Sequence, residues 1–379
     1  MDFTLDSEQL ALRDAVRGLL GKAYGSIDAR RDATASDPGF DEKTWSRLAD
    51  MGVLALPFAE EDGGVGAGPA EVMVVAEEVG RVLAPEPFVE AVVLAGGLVA
   101  AQGTAEQRAE LIGGLAAGES LLALAHLEPG RHWSAGAPDV TATRSGDGWT
   151  LDGVKEPVLH GARADVLLVT AAVEGRTALF VVRADAGGLE RTGYRTFDGS
   201  RAAHVRFIST PAEPLGEPGA DATAALEAAL AAARVAYAHE SVGAMATALE
   251  TTSEYLRTRK QFGVPLKTFQ ALTFRAADMY VSLELARSAA AWATLVLADE
   301  PERAPEAARR AAFQVSKAGR HVGQEAIQLH GGIGMTAEYS VGHYTARLTA
   351  IDHLLGDGSD HLRHLAASVS DHGVVEPMP

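Results

Sequence analysis

The sequence predicts an α+β protein in which helices and β-strands occupy separate parts of the chain. Apolar residues recur at helical spacing before about residue 119 and again after about residue 216. Between these two parts, short runs of alternating apolar residues are separated by glycine-containing turns. Helices and strands segregated in this way are typical of α+β folds. We therefore predict an N-terminal helical domain at residues 1–119, a middle antiparallel β domain at 120–215 and a C-terminal helical bundle at 216–379.

The first predicted domain contains several amphipathic helices. Its opening helix shows an apolar stripe at helical spacing, formed by Leu10, Leu12, Val16, Leu19 and Leu20. Further helices are predicted at residues 72–83 and, fully buried, at 91–101. Thr104 lies three residues before Gln107, so we expect Thr104 to cap the start of another helix. The glycines of residues 63–68 follow no predicted strand, so they predict a loop and not a phosphate-binding turn.

The middle domain is predicted from short strands with turn residues between them. The predicted strands are residues 140–143, 149–151, 166–169, 179–182 and 205–207. Ser145 and Gly146 belong to one of the turn signals that separate them. The linker to the last domain is predicted from a cluster of helix- and strand-breaking residues, namely Pro211, Pro214, Pro218 and Gly219.

The last domain is predicted to contain three long helices, at residues 222–258, 269–299 and 305–329. Pro305 opens the third helix, a position where proline is favoured because its missing N–H has no partner to lose. We expect the tail after Asp371 to be frayed.

Composition restricts the functional classes that remain open. The chain has 379 residues and a formal charge of −18, from 33 basic and 51 acidic residues, which disfavours nucleic acid and anionic membranes as partners. The absence of cysteine excludes disulfides and thiolate chemistry. The N-terminus does not resemble a signal peptide, and no apolar run approaches the roughly 20 residues that span a bilayer. These features predict a soluble, cytoplasmic protein. His361 and His364 lack an acidic cluster, so no metal site is predicted.

Two distant stretches carry the strongest functional signal. Residues 259–270 read RKQFGVPLKTFQ, and residues 328–334 read QLHGGIG. The first stretch offers fixed positive charge and the start of a helix, where free N–H groups suit a pyrophosphate. Gly263 and Gly331 are each expected to end a helix by adopting positive φ. Either stretch alone would be typical of an ordinary helix end.

Together, the two stretches closely resemble the acyl-CoA dehydrogenase flavoprotein family. The resemblance extends over nearly the whole chain and includes Phe3-Thr4-Leu5, Trp45, Gly52, Glu77-Glu78-Val79-Gly80-Arg81, Glu128-Pro129-Gly130, Ala276-Ala277-Asp278-Met279 and Glu338-Tyr339. It implies a three-domain fold with a C-terminal four-helix bundle, FAD as the cofactor and an acyl-CoA as the substrate. It further implies a homo- or hetero-oligomer and electron-transfer flavoprotein as the electron acceptor.

In the family, a glutamate removes the Cα proton of the acyl-CoA while flavin N5 accepts the Cβ hydride. At the two positions where the family places this base, the present chain has Leu355 and Ala233. Asp357 lies two residues from the first position. Glu240, two helical turns beyond the second, is a candidate for a displaced base with a raised pKa. The alternative for Glu240, which we favour, is an ion pair with His239 or with an arginine between helices.

One further residue matches the family, and two segments depart from it. Arg234 resembles the arginine that approaches the CoA moiety. Bulky residues follow Glu128-Pro129-Gly130, at Arg131-His132-Trp133-Ser134, where the family has small residues that line the flavin. Pro157-Val158-Leu159 replaces a Trp-Ile-Thr segment that covers the flavin and places a hydroxyl near N5.

The retained positions are those that, in the family, bind the ADP half of the neighbouring subunit's FAD. They are Arg259, Phe262, Gln270, Gln328, Gly331 and Gly332. This pattern favours a subunit that completes a partner's FAD site and lacks the usual base. Two alternatives remain, a self-sufficient dehydrogenase with Glu240 or Asp357 as its base, and a binding or scaffold protein without flavin.

Overall fold

A computed structural model describes residues 4–372 except 132, 134, 135, 137 and 147. The part before the sheet is helical, with α1 (Ser7–Tyr24), α2 (Ile27–Ala35), α3 (Glu42–Asp50), α4 (Pro69–Val82), a π-helix (Phe88–Gly96) that continues into α5 (Gly97–Gln102), and α6 (Ala105–Ala116). The predicted cap of α6 is confirmed, because Thr104 and Gln107 form a capping box. The buried helix expected at residues 91–101 begins earlier, at Phe88, and its first nine residues are π-helical.

A buried carboxylic acid lies in this helical part. Glu86 is 3% exposed and accepts a short hydrogen bond from the Tyr24 hydroxyl. Burial raises the pKa of Glu86 to about 7, and the hydrogen bond from Tyr24 opposes this only in part. The protein therefore folds most readily when the Glu86 carboxyl is protonated.

Replacing Glu86 with glutamine is expected to stabilise the protein at high pH but not at low pH. Below about pH 4.5 the Glu86 carboxyl is protonated in both the folded and unfolded states, so its ionisation does not lower the free energy of unfolding. Between pH 4.5 and 7 the unfolded state loses its proton first, and the wild type loses up to about 3 kcal/mol of stability, a loss that then levels off. Urea unfolding of both proteins at pH 4.5 and pH 8 measures the difference, and equal stability differences at the two pH values would contradict the expectation.

The central part is a β-sheet of seven strands among the described residues. They are β1 (Leu122–Ala125), β2 (Thr141–Ser145), β3 (Gly148–Leu159), β4 (Val166–Val173), β5 (Arg176–Arg183), β6 (Leu189–Arg195) and β7 (Arg201–Pro214). The order is β1-β4-β2-β3-β7-β5, with β6 on β7 and a further pairing of β4 with β5.

The sheet departs from the purely antiparallel expectation at one edge. β1 runs parallel to β4, with Leu122 opposite Val166, and β2 meets β4 in parallel at one residue pair. The β2–β3 hairpin lies between β1 and β4 in sequence and provides the long connection that a parallel pair needs. The predicted linker also begins later than expected, because Pro211 pairs opposite Thr150 and Pro214 ends β7.

The last part consists of α7 (Thr223–Thr258), α8 (Gln270–Asp299), α9 (Ala304–His330), α10 (Val341–Asp352) and α11 (Gly358–Ala367). The three long predicted helices are therefore confirmed. A short hairpin of β8 (Lys260–Gln261) and β9 (Val264–Pro265) connects α7 to α8. The expectation that Gly263 ends α7 is wrong. Phe262 and Gly263 both have positive φ, at 54° and 81°, and form the two-residue turn of this hairpin.

One helix is more apolar than the sequence analysis expected. By length and composition, α8 could cross a membrane, although core helices of soluble proteins pass the same test. Only 33% of its most apolar stretch is buried. α8 packs on α7 and α9, while Phe274, Val281 and Leu285 stay exposed along one side. We call these three residues the α8 stripe.

Candidate active site

Three positions that the sequence analysis singled out meet in one cavity. Leu355, Pro157 and Leu159 line it together, although they come from the loop after α10 and from β3. The cavity measures about 60 Å³, whereas ligand pockets typically measure several hundred cubic ångströms. Leucine side chains from the π-helix, β1, α7 and the 354–355 loop form most of its walls, which explains its small size.

A tryptophan connects the β domain to the loop beside this cavity. The Trp133 indole N–H donates a hydrogen bond of 3.2 Å to the His353 carbonyl oxygen. His353 itself lines the cavity. His132 and Ser134, which the sequence analysis also named as added bulk, lie outside the described residues. The Trp133 contact thus ties the β-domain loop to the segment that carries Leu355.

Glu240 lies outside this cavity, in a buried ion cluster. It is 1% exposed, and its carboxylate accepts a hydrogen bond of 2.7 Å from Arg347 Nε. Arg347 Nη1 donates to Asp198 at 3.0 Å, and Arg347 Nη2 lies 4.0 Å from Glu90. Burial raises the pKa of Glu240, while the charge of Arg347 opposes the rise.

These contacts are those of the interhelical ion pair that the sequence analysis gave as the alternative for Glu240. The partner is Arg347 of α10 and not His239, which lies 3.9 Å from Glu77. A catalytic role for Glu240 stays a prediction, as does the same role for Asp357. The Asp357 side chain accepts a hydrogen bond from the Asp360 N–H and caps α11.

Arg234 holds the loop that contains Leu355. Its Nε donates a hydrogen bond of 2.9 Å to the Leu355 carbonyl oxygen, and its side chain is buried. Burial lowers the pKa of Arg234 to about 10, and the nearby charge of Arg309 adds to this effect. Ala233, the other position where the family places its base, is completely buried in the core. Contact of Arg234 with CoA stays a prediction.

The retained positions lie together at the opposite end of the bundle. All six are exposed: Arg259, Phe262, Gln270, Gln328, Gly331 and Gly332. The His330 ring packs against both Tyr255 and Tyr339, with ring centroids 4.4 Å and 4.9 Å away. This aromatic cluster fixes the end of α9 against the end of α7. As predicted, Gly331 ends α9 with a positive φ of 64°.

Three cations at this end have no side-chain partner in the part of the chain that the structure describes. Among the described residues, the side chains of Arg259, Lys260 and Lys267 make no hydrogen bond or ion pair. Gln270 begins α8, and no side chain caps that helix start. Free N–H groups at a helix start, together with unpaired cations, suit a pyrophosphate.

Comparison with known proteins decides the family. The N-terminal domain model of acyl-CoA dehydrogenases matches residues 6–119, and the C-terminal domain model matches residues 222–369. The chain belongs to the acyl-CoA dehydrogenase family. Members of this family are FAD-dependent oxidoreductases that act on the CH–CH bond of acyl-CoA thioesters.

Several relatives come from mycobacteria. The chain is 33% identical to acyl-CoA dehydrogenase IpdE2 of Mycobacterium tuberculosis, over 97% of this chain and 98% of that protein. It is 28% identical to acyl-CoA dehydrogenase FadE27 of the same organism, over 98% and 99%. Among solved structures, the Tcur3481-Tcur3483 steroid ACAD is 34% identical with a TM-score of 0.88, covering 97% of this chain and 99% of that one. The ChsE4-ChsE5 complex from M. tuberculosis is 27% identical with a TM-score of 0.89, covering 99% and 100%.

The two ends of the bundle differ in how well they fit the family's cofactor. The unpaired Arg259, the exposed Phe262 and the start of α8 would hold the ADP half of an FAD, which supplies hydride-accepting chemistry when bound. The cavity around Leu355 does not fit the flavin ring, because it measures about 60 Å³ and leucines fill it.

The cavity also contains an acidic residue that was not predicted from the sequence. Glu90 lines it, is 8% exposed, and accepts a hydrogen bond of 2.9 Å from the Tyr237 hydroxyl. An acidic residue within the apolar run of residues 88–96 was the available signal. The arrangement of Glu90, Asp198 and Arg347 required the tertiary structure, because each residue comes from a different part of the chain.

Proposed function

We propose that this chain is a subunit of an FAD-dependent acyl-CoA dehydrogenase, in which it completes a partner's FAD site and provides no base of its own. One observation carries the sharing of the FAD site between two chains. Leu230, in the cavity wall, and Thr258, beside Arg259, lie in the same helix α7. The 28 residue steps from Leu230 to Thr258 correspond to about 42 Å of helix. An extended FAD is shorter than this, so one FAD cannot reach both ends of a single chain.

The small size of the cavity and the residues around it support the same proposal. Leu355 and Ala233 cannot remove a proton, and Leu159 cannot donate a hydrogen bond to a flavin. A catalytic subunit of the same fold would supply the base, the flavin ring site and the acyl pocket. The exposed ADP-binding end of the present chain would then hold the distal half of that subunit's FAD. This arrangement also argues against a scaffold without flavin, which would have no use for an unpaired Arg259 beside Gln328.

The α8 stripe supports a protein partner at this end. Phe274, Val281 and Leu285 continue along the helix that begins at Gln270, so an apolar surface adjoins the proposed ADP site. Contiguous exposed apolar surface often marks protein interfaces. Two of the similar solved structures carry paired names, ChsE4-ChsE5 and Tcur3481-Tcur3483. We propose a soluble cytoplasmic heteromer that oxidises a fatty or sterol side-chain acyl-CoA and passes electrons to electron-transfer flavoprotein.

The experiment is to measure released FAD per chain, first for the protein purified alone and then for its complex with a co-expressed dehydrogenase subunit. We expect little or no FAD in the protein alone and one FAD for every two chains in the complex. Near one FAD per chain in the isolated protein would contradict the proposal and favour the self-sufficient dehydrogenase. Absence of FAD from both preparations would favour the scaffold.

A further inference from the structure

A larger cavity lies away from both ends of the proposed cofactor site. It measures about 370 Å³, which is within the range of roughly 300–1,000 Å³ that is usual for ligand sites. It lies between α4, α7 and α8, with Leu5 and the start of α1 at its edge. None of its lining residues belongs to the small cavity or to the retained ADP-binding positions.

One side of this cavity changes from apolar to polar along α4. Ala70, Met73, Val74 and Glu77 line it at positions i, i+3, i+4 and i+7, so they share one face of the helix. The first three are apolar, and Glu77 stands about one turn beyond them. On α8, Ala291 and Leu295 continue the apolar wall, and Arg287, one turn before Ala291, joins the polar end.

The polar end contains a histidine whose contacts indicate which ring nitrogen carries a hydrogen. The Thr294 hydroxyl donates a hydrogen bond of 3.0 Å to the Ala290 carbonyl oxygen. His239 Nε2 lies 2.9 Å from the same hydroxyl oxygen, so Nε2 carries the hydrogen and donates it. His239 Nδ1 then faces Glu77 at 3.9 Å, too far for a direct hydrogen bond.

The ionised carboxylate of Glu77 can accept a hydrogen bond. Burial opposes its ionisation, but the neighbouring His239 and the charges of Arg287 and Arg81 hold the pKa of Glu77 below its usual value. Arg287 is paired with Glu284. Arg287 and Glu77 both line the polar end of this largely apolar cavity. A hydroxyl group suits this pair because it can donate to the carboxylate and accept from the guanidinium.

We propose that this cavity binds a neutral amphiphile, with its apolar chain along α4 and α8 and a hydroxyl head between Glu77 and Arg287. A charged head is disfavoured, because an anion would meet Glu77 and a cation would meet Arg287. The inference is independent of the proposed function, since it involves neither the ADP-binding end nor the cavity around Leu355.

The test uses the full chain and three probes of similar length, 1-octanol, octanoate and heptyl methyl ether. Saturation-transfer NMR and calorimetry should show that 1-octanol binds more tightly than either of the other probes. Ala291→Phe fills the apolar wall and is expected to abolish octanol binding. Ala109→Phe, which adds the same volume on an exposed face of α6, is the control and should leave binding unchanged.

A second variant covers the case in which Ala291→Phe fails to fold. Glu77→Gln keeps the size of the side chain but removes its charge, and should weaken octanol binding roughly tenfold, since a hydrogen bond to a charged group is lost. It should leave the affinity for heptyl methyl ether unchanged, because the ether has no hydroxyl to donate. Equal affinity for the three probes, or octanol binding unaffected by Glu77→Gln, would overturn the proposal.

Discussion

Replacing Arg259 with alanine is expected to weaken FAD binding by the assembled enzyme roughly 10- to 150-fold. The Arg259 guanidinium is exposed and has no partner among the described residues, so its charge is available to a pyrophosphate. A hydrogen bond to a charged group contributes about 1.5–3 kcal/mol, which gives the expected range. The measurement is FAD retention by the purified complex during dialysis, together with the dissociation constant obtained by titrating FAD back.

Arg257→Ala is the matched control for this prediction. Arg257 lies in the last turn of the same helix, but its side chain is 3.9 Å from Glu254 and it is not among the retained positions. Its removal should lower the total positive charge at this end of the bundle but leave FAD binding near the wild-type value. If Arg259→Ala and Arg257→Ala had the same small effect, a specific contact between Arg259 and the cofactor would be ruled out.

Replacing Arg347 with methionine is expected to destabilise the protein by about 3–5 kcal/mol. Arg347 is the cation that neutralises the buried carboxylates of Glu240 and Asp198, and Glu90 lies close by. Removing one partner of a buried ion pair leaves uncompensated charge in a medium that solvates it poorly. Because these residues come from the helical domain, the sheet and the bundle, the loss should weaken the packing of all three parts. Urea unfolding followed by circular dichroism measures the effect.

A control variant outside this cluster and a double variant within it separate the effect of charge from that of packing. Arg320→Met removes an arginine that is 67% exposed and 3.6 Å from Asp352, so it should cost less than about 1 kcal/mol. Adding Glu240→Gln to Arg347→Met removes one of the stranded charges and should recover part of the lost stability. Failure of the double variant to recover any stability would show that the loss came from side-chain packing and not from unpaired charge.

The Glu240 variant also bears on catalysis. If Glu240 served only the ion cluster, Glu240→Gln would leave the reduction of flavin by substrate in the assembled enzyme intact. Loss of that reduction in a folded complex would instead support the displaced base. The stability and catalytic measurements on this residue are thus independent of each other.

Local periodicity made much of the fold accessible from the sequence. Helices α7, α8 and α9 were predicted within one or two residues, since apolar spacing and the proline near residue 305 are local signals. The hairpin after Thr258 was missed, because the turn at Phe262 and Gly263 looks the same in sequence as a helix end. The parallel edge of the sheet was missed as well, because strand partners are chosen between distant segments.

For the site, the sequence by itself determined which side chains are present: leucine and alanine at the two positions where the family places its base, and the arginine, glutamines and glycines of the proposed ADP-binding end. Tertiary structure alone decided how these residues are arranged. It placed Leu355, Pro157 and Leu159 around one small cavity, paired Glu240 with Arg347, and separated that cavity from Arg259 by most of the length of α7. The physical reason is that residue identity sets what a side chain can do chemically, whereas long-range packing sets which side chains come close enough to act together.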